Sequence, residues 1–192
     1  MQVASRIRFP ARFATAVAMG LALLAGSPAA AQQSNVDFTV SGTSTVRGWT
    51  CSVSGTAAVA PGSSAPAPGF ADGVQSAMLT VPVADFECPD ETMTEHLMDA
   101  MKPAEFAEIT FQLDGYEAAG GGADASGALT ILGVTRPVSF PISLMPSGAG
   151  VTIAGEVGLD MTEYGVEPPV VLLGLLRVGP EIRIQFEGLV IP

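Results

Sequence analysis

Apolar side chains recur at every second position along most of this chain. Over residues 127–144, Leu129 and Ile131 face one way with Thr130 opposite. After a break, Val138, Phe140, Ile142 and Leu144 face one way with Ser139 and Ser143 opposite. Such alternation marks strands with one apolar face, so the stretch predicts strand, turn, strand. Gly133 can supply a positive φ in the turn, and Pro137 starts the second strand where its missing N–H costs least. Pro141 belongs on an edge or at a bulge, which predicts a discontinuity in the sheet beside it. The same period marks residues 37–41, 49–53, 78–84, 109–113, 151–159 and 181–190. In the last of these, Ile182, Ile184 and Phe186 alternate with Glu181, Arg183, Gln185 and Glu187.

Residues 61–69, rich in Pro, Gly, Ser and Ala, read as a loop or flexible excursion, and 116–126 as a turn through a glycine cluster. One segment has helical period. Met93, Leu97 and Met101 share a face, Asp90 or Thr92 is placed to cap it, Glu95 sits in its first turn and Pro103 stops it. About eight short strands, one helix and many turns fit a single antiparallel barrel or sandwich. Before the last strand, Val170, Val171, Leu172, Leu173, Leu175 and Leu176 follow the pair Pro168 and Pro169. That run is too short to span a membrane, which takes about 20 residues. It reads either as a strand buried on both faces or as an apolar flap at a ligand cavity.

The N-terminus needs separate treatment. Arg6, Arg8 and Arg12 precede an apolar run over 14–25, and Ser27, Pro28, Ala29, Ala30 and Ala31 form a small-residue cleavage pattern. This predicts a secretory signal over 1–31, cleavage after Ala31, and a periplasmic or secreted product without stable membrane insertion. Removing 31 of the 192 residues leaves 161, the size of one domain with a real core, over 32–192. That part holds all nineteen acidic side chains and five of the eight basic ones, a formal charge of −14. Such a surface repels nucleic acid and anionic headgroups, which excludes a nucleic-acid partner. Cys51 and Cys88 are the only cysteines, and an exported pair predicts a disulfide closing a loop worth about 3–4 kcal/mol. A metal or redox pair would need a close spacing or neighbouring histidines, which the sequence lacks.

Catalytic chemistry finds little to work with. His96 is the only histidine and reads as a solvated helix residue between Glu95 and Asp99. Asp85, Glu87, Asp90 and Glu91 lack the ligand spacing of a calcium loop and read as a charged face. Nucleophile-elbow, phosphate-loop and dinucleotide motifs are missing, so neither catalytic residues, metal nor cofactor are expected. Met93, Met98 and Met101 give the helix an adaptable apolar face, suited to core packing or to floppy ligands. A barrel of about eight strands holds either packed side chains or one ligand.

The motifs are more specific than the periodicity. Residues 127–138, from Gly127 through the Gly133-Val134-Thr135-Arg136-Pro137 turn, resemble the hallmark of the YceI-like family. Glu95, His96 and Leu97, followed by Phe106 and by Ile109, Thr110 and Phe111, are similar to a second stretch of that family, and residues 161–166 to a third. The segment with Trp49 and Cys51 resembles a cysteine-containing branch. The paired phenylalanines usual after the helix are replaced around 102–106. The resemblance implies an extended lipocalin-like antiparallel barrel, periplasmic or secreted. It also implies a polyisoprenoid chain enclosed in the barrel, often with a quinone-like or amphiphilic head, and no cofactor chemistry.

The cavity candidates are therefore Phe38, Trp49, Met93, Leu97, Met101, Phe106, Ile109, Phe111, Leu129, Ile131, Phe140, Val170 and Leu172. The Gly-Val-Thr-Arg-Pro turn is expected to shape the barrel without touching ligand. The expected function is non-enzymatic binding or carriage of an isoprenoid or other long-chain lipid. A filled barrel acting as a structural or stress-related module is the alternative, and the sequence leaves a homodimer open. A forty-carbon tail would gain more than about 20 kcal/mol gross from water, which exceeds the practical affinity ceiling of about 18–21 kcal/mol. The working competitor is the bilayer, where the tail is already dry, so rough parity with lipid suffices for a carrier.

Overall fold

The computed structural model describes residues 32–62, 65–148 and 150–191. The expected export segment with its cleavage after Ala31, and the side chain of Leu172, lie outside the described residues. The strands are β1 (Gln32–Ser44), β2 (Gly48–Pro61), β3 (Val74–Pro82), β4 (Glu108–Ala119), β5 (Gly122–Ile131), β6 (Val134–Ser147), β7 (Gly150–Asp160), β8 (Val170–Val171) and β9 (Leu176–Val190). All pairings are antiparallel, in the order β1-β2-β3-β4-β5-β6-β7-β9, and β1 returns to β9. Eight long strands thus close a barrel, in which every long strand has a partner on both sides over at least part of its length. The two-residue β8 is an outlying pair on β9. Alternation sets the inside: Cys51, Val53, Ala57 and Val59 of β2 are buried while Ser52 and Ser54 face out.

The β5–β6 hairpin turns on two residues, Leu132 at φ 47° and Gly133 at φ 73°, between the paired Ile131 and Val134. Two positive φ values match the twist of the flanking strands, which is why Gly133 is there. β6 pairs with β5 along its length but with β7 only from Ile142 onward. Pro137 and Pro141 both fall where β7 is missing, so their lost N–H groups cost no ladder bond, and the discontinuity expected at Pro141 is present.

Three readings are corrected. The glycine cluster makes only a tight turn, because β4 continues to Ala119 and β5 begins at Gly122, with Tyr116 paired to Ala125. The segment after β2 is the expected loop but no excursion, being packed against the barrel. Phe70 is 6 % exposed, Ala67 and Phe70 bridge each other, and the Tyr116 hydroxyl donates to the Ala65 carbonyl while accepting the Val74 N–H at 2.9 Å. Residues 65–73 therefore cap one end of the barrel. The aliphatic run before β9 is no strand buried on both faces: Leu173 and Leu175 are fully exposed and 77 % exposed, and a tight turn interrupts it.

Helix α1 (Glu91–Met101) joins β3 to β4 at the other end. Asp90 caps it, its carboxylate accepting the Met93 N–H at 2.9 Å, and Lys102 in the left-handed region ends it before Pro103. Cys51 and Cys88 form the disulfide. Beside it, Ser52 and Glu87 exchange both backbone hydrogen bonds at 2.8 Å. The chain entering the helix is thus clamped to β2.

Candidate functional site

The barrel interior is open beneath α1. A cavity of about 600 Å³ lies there, walled by β1, β2 and β9 and roofed by Met93, Leu97, Ala100 and Met101. Its lining is apolar apart from a few groups, of which Arg47, Asp90 and Thr92 are exposed and so form the rim. Arg47 and Asp90 approach to 3.8 Å, an exposed pair of little energetic weight. His96 is on the same rim, half-buried. Trp49 enters the cavity flat over Gly42, its partner on β1: a Cβ there would lie 2.6 Å from Cζ2 of the indole. Its Nε1 is buried and has no acceptor among the described residues, a donor that a ligand oxygen could satisfy at a net gain.

Two smaller spaces continue below, of about 70 Å³ and about 90 Å³. The upper one shares Val40, Phe86, Ile109 and Ile184 with the main cavity. The lower one reaches Ala67 and Phe70 of the end cap. Of the sequence candidates, Trp49, Met93, Leu97, Met101, Ile109 and Ile131 line the main cavity. Phe38, Phe111, Leu129 and Phe140 lie deeper, around the first small space. Phe106 lines neither; its ring sits against Gly133 of the hairpin turn, whose Cβ would be 3.1 Å from it. Val170 is 58 % exposed and stands outside the lining.

Sequence reasoning missed Val40, Ile182, Ile184 and Phe186, although period two placed all four on the inner face. Phe86, Met161 and Val166 had no periodic signal, since they come from short connections. What holds Met161 and Val166 is the hairpin: Arg136 Nε–H donates to the Glu163 carbonyl at 2.7 Å, and its guanidinium lies 3.9 Å from the Glu163 carboxylate. Asp160 caps the same short turn, accepting the Thr162 N–H at 2.8 Å, and Gly165 closes it at φ 78°. The Gly-Val-Thr-Arg-Pro turn thus grips the 161–166 segment from outside while that segment walls the cavity. Tyr164, 2 % exposed, has its phenol pushed above the usual value by burial; Arg136 opposes the shift and Glu163 adds to it.

Among the described residues, no three His, Cys, Asp or Glu side chains converge as metal ligands. Nor is any described helix long and apolar enough to cross a membrane. The YceI-like domain model matches residues 29–189. The chain belongs to the YceI-like family. Solved structures share the fold of this YceI-like chain at low identity. Burkholderia cenocepacia BcnA superposes with a TM-score of 0.62 at 21 % identity, over 81 % of this chain and 95 % of that one. The Campylobacter jejuni YCEI protein gives 0.57 at 13 % identity, over 92 % and 93 %. A polyisoprenoid binding domain from Saccharophagus degradans, implicated in plant cell wall breakdown, gives 0.57 at 15 % identity, over 85 % and 97 %. Comparison with curated protein sequences finds no match.

Proposed function

We propose that this YceI-like chain is an exported, non-enzymatic carrier that holds an isoprenoid or similar long-chain amphiphile in its barrel. The observation that carries this is the apolar cavity of about 600 Å³ under a methionine-rich helix, with its polar groups at the rim. An apolar tail inside and a polar head among Arg47, Asp90, Thr92 and His96 would match that distribution. Membership of the family and the fold shared with the polyisoprenoid binding domain of Saccharophagus degradans support the same reading. The disulfide fits an oxidising compartment outside the cytoplasm.

The cavity needs no specific polar network to work. Burying a methylene is worth about 0.8 kcal/mol against water and close to nothing against a bilayer, so exchange with membrane is energetically near level. Protein purified from the exported fraction should release a long apolar molecule on denaturation. Native mass spectrometry showing apo protein alone, under conditions that keep lipid complexes intact, would count against the proposal.

A further inference from the structure

We infer that the lumen is shut at mid-height to tails much beyond about twenty carbons, and that Phe38, Phe111, Phe140 and Phe186 set the length of tail the cavity accepts. This deepens the binding function proposed above and rests on it. The four rings form one chain of contacts: Phe38 to Phe186 at 6.2 Å, Phe186 to Phe140 at 5.6 Å and Phe140 to Phe111 at 5.3 Å between centroids. All four are at most 8 % exposed. Below the main cavity lie two small spaces of about 70 Å³ and about 90 Å³, and Phe111, Phe140 and Phe186 stand between them.

The rings are seated, not merely crowded. Three lie over inward-facing glycines: a Cβ on Gly155 would fall 2.4 Å from Phe186 Cζ, one on Gly127 2.5 Å from Phe111 Cζ, and one on Gly55 3.0 Å from Phe38 Cε2. At Gly155 the ring is the nearest neighbour, while at Gly127 and Gly55 the backbone carbonyls of Gln112 and Thr80 come closer still; swinging a ring off its glycine would lose its contacts there. Phe140 has no such seat and is held between Phe111 and Phe186. A tail entering at α1 therefore meets a floor, first at Val40, Phe86, Ile109 and Ile184 and then at the rings. A chain carbon takes about the room of a water molecule in the liquid, roughly 30 Å³, so about 600 Å³ holds on the order of twenty such groups. The ligand this selects is a linear apolar amphiphile of that length, with a short prenyl tail in place of a full polyprenyl one.

The test offers delipidated protein an ascending series of isoprenols (farnesol, geranylgeraniol and solanesol), each presented from neutral phosphatidylcholine vesicles. Bound ligand is read by native mass spectrometry. Wild-type protein is expected to retain the two shorter chains with about tenfold or greater preference over solanesol. Phe140→Ala, which joins the small spaces to one another and adds room for a few more chain carbons, should narrow that preference without abolishing it. Phe140→Leu serves as a second variant that keeps more of the packing, with circular dichroism confirming that each folds. Equal retention of all three isoprenols by wild type overturns the length limit and leaves lipid binding standing. Retention of none overturns both. An unchanged preference in a folded Phe140 variant removes the rings as its cause.

Discussion

At Phe186 and Gly155 the physics runs through a pair of residues, neither of which can be judged alone. Phe186→Ala should cost about 3–5 kcal/mol as a buried ring deletion. Gly155→Ala in the wild type should cost about 1–3 kcal/mol, because its Cβ would lie 2.4 Å from the ring. In the Phe186→Ala background the same methyl enters vacated space and should recover stability, so the two changes are expected to be markedly non-additive in a urea double-mutant cycle. The strand alternation that exposes Phe186 to a reader of the sequence hides this partner, because a glycine inside a strand reads only as a weak position. Tyr164 offers a second test. Its folded phenol ionises above the ordinary value of 10.0, chiefly through burial. Its neutral form thus contributes stability that is complete below pH 10.0 and is lost as pH rises through the higher folded value. Tyr164→Phe should flatten that alkaline limb in thermal melts against pH.

Among the elements, those with long period-two patterns were legible, and those made by contacts far apart in sequence were not. Strands β2, β7 and β9 follow from alternation, and α1 from three residues on one face with a capping aspartate. The end cap over residues 65–73 did not, because small residues read as loop and its tether is the Tyr116 hydroxyl on β4. The site divides the same way. Trp49, Ile131, Met93 and Met101 were found by pattern, whereas Met161 and Val166 are positioned by Arg136 on another element. Arg136→Ala should cost about 1 kcal/mol after allowing for its exposure and lower Tm by about 2–4 °C. It should also weaken ligand retention by loosening that wall. Replacing Cys51 and Cys88 together by serine should lower stability by about 3–4 kcal/mol for the 37-residue separation, read from the urea midpoint. Because the bridge clamps the entry to α1, ligand loss by native mass spectrometry should accompany it. A pair of variants that unfolds earlier yet retains ligand undiminished would separate the clamp from the cavity.

For the molecule as a whole, closure of the sheet and strong acidity act on different properties. The −14 formal charge of residues 32–192 is spread over the outside of the barrel, where mutual repulsion opposes compaction. Raising sodium chloride from low to moderate concentration should therefore raise Tm, while affinity for an uncharged isoprenol stays flat, since the cavity wall is apolar. A parallel fall in affinity would place charge in the binding step. The end cap has a further consequence for traffic. With residues 65–73 across one end and α1 over the other, a guest has no through-passage along the described barrel. It must back out by the route it came in, tail last. Such a vessel has no built-in direction: whether it loads or delivers is decided by which of two apolar phases it meets holds the tail less tightly.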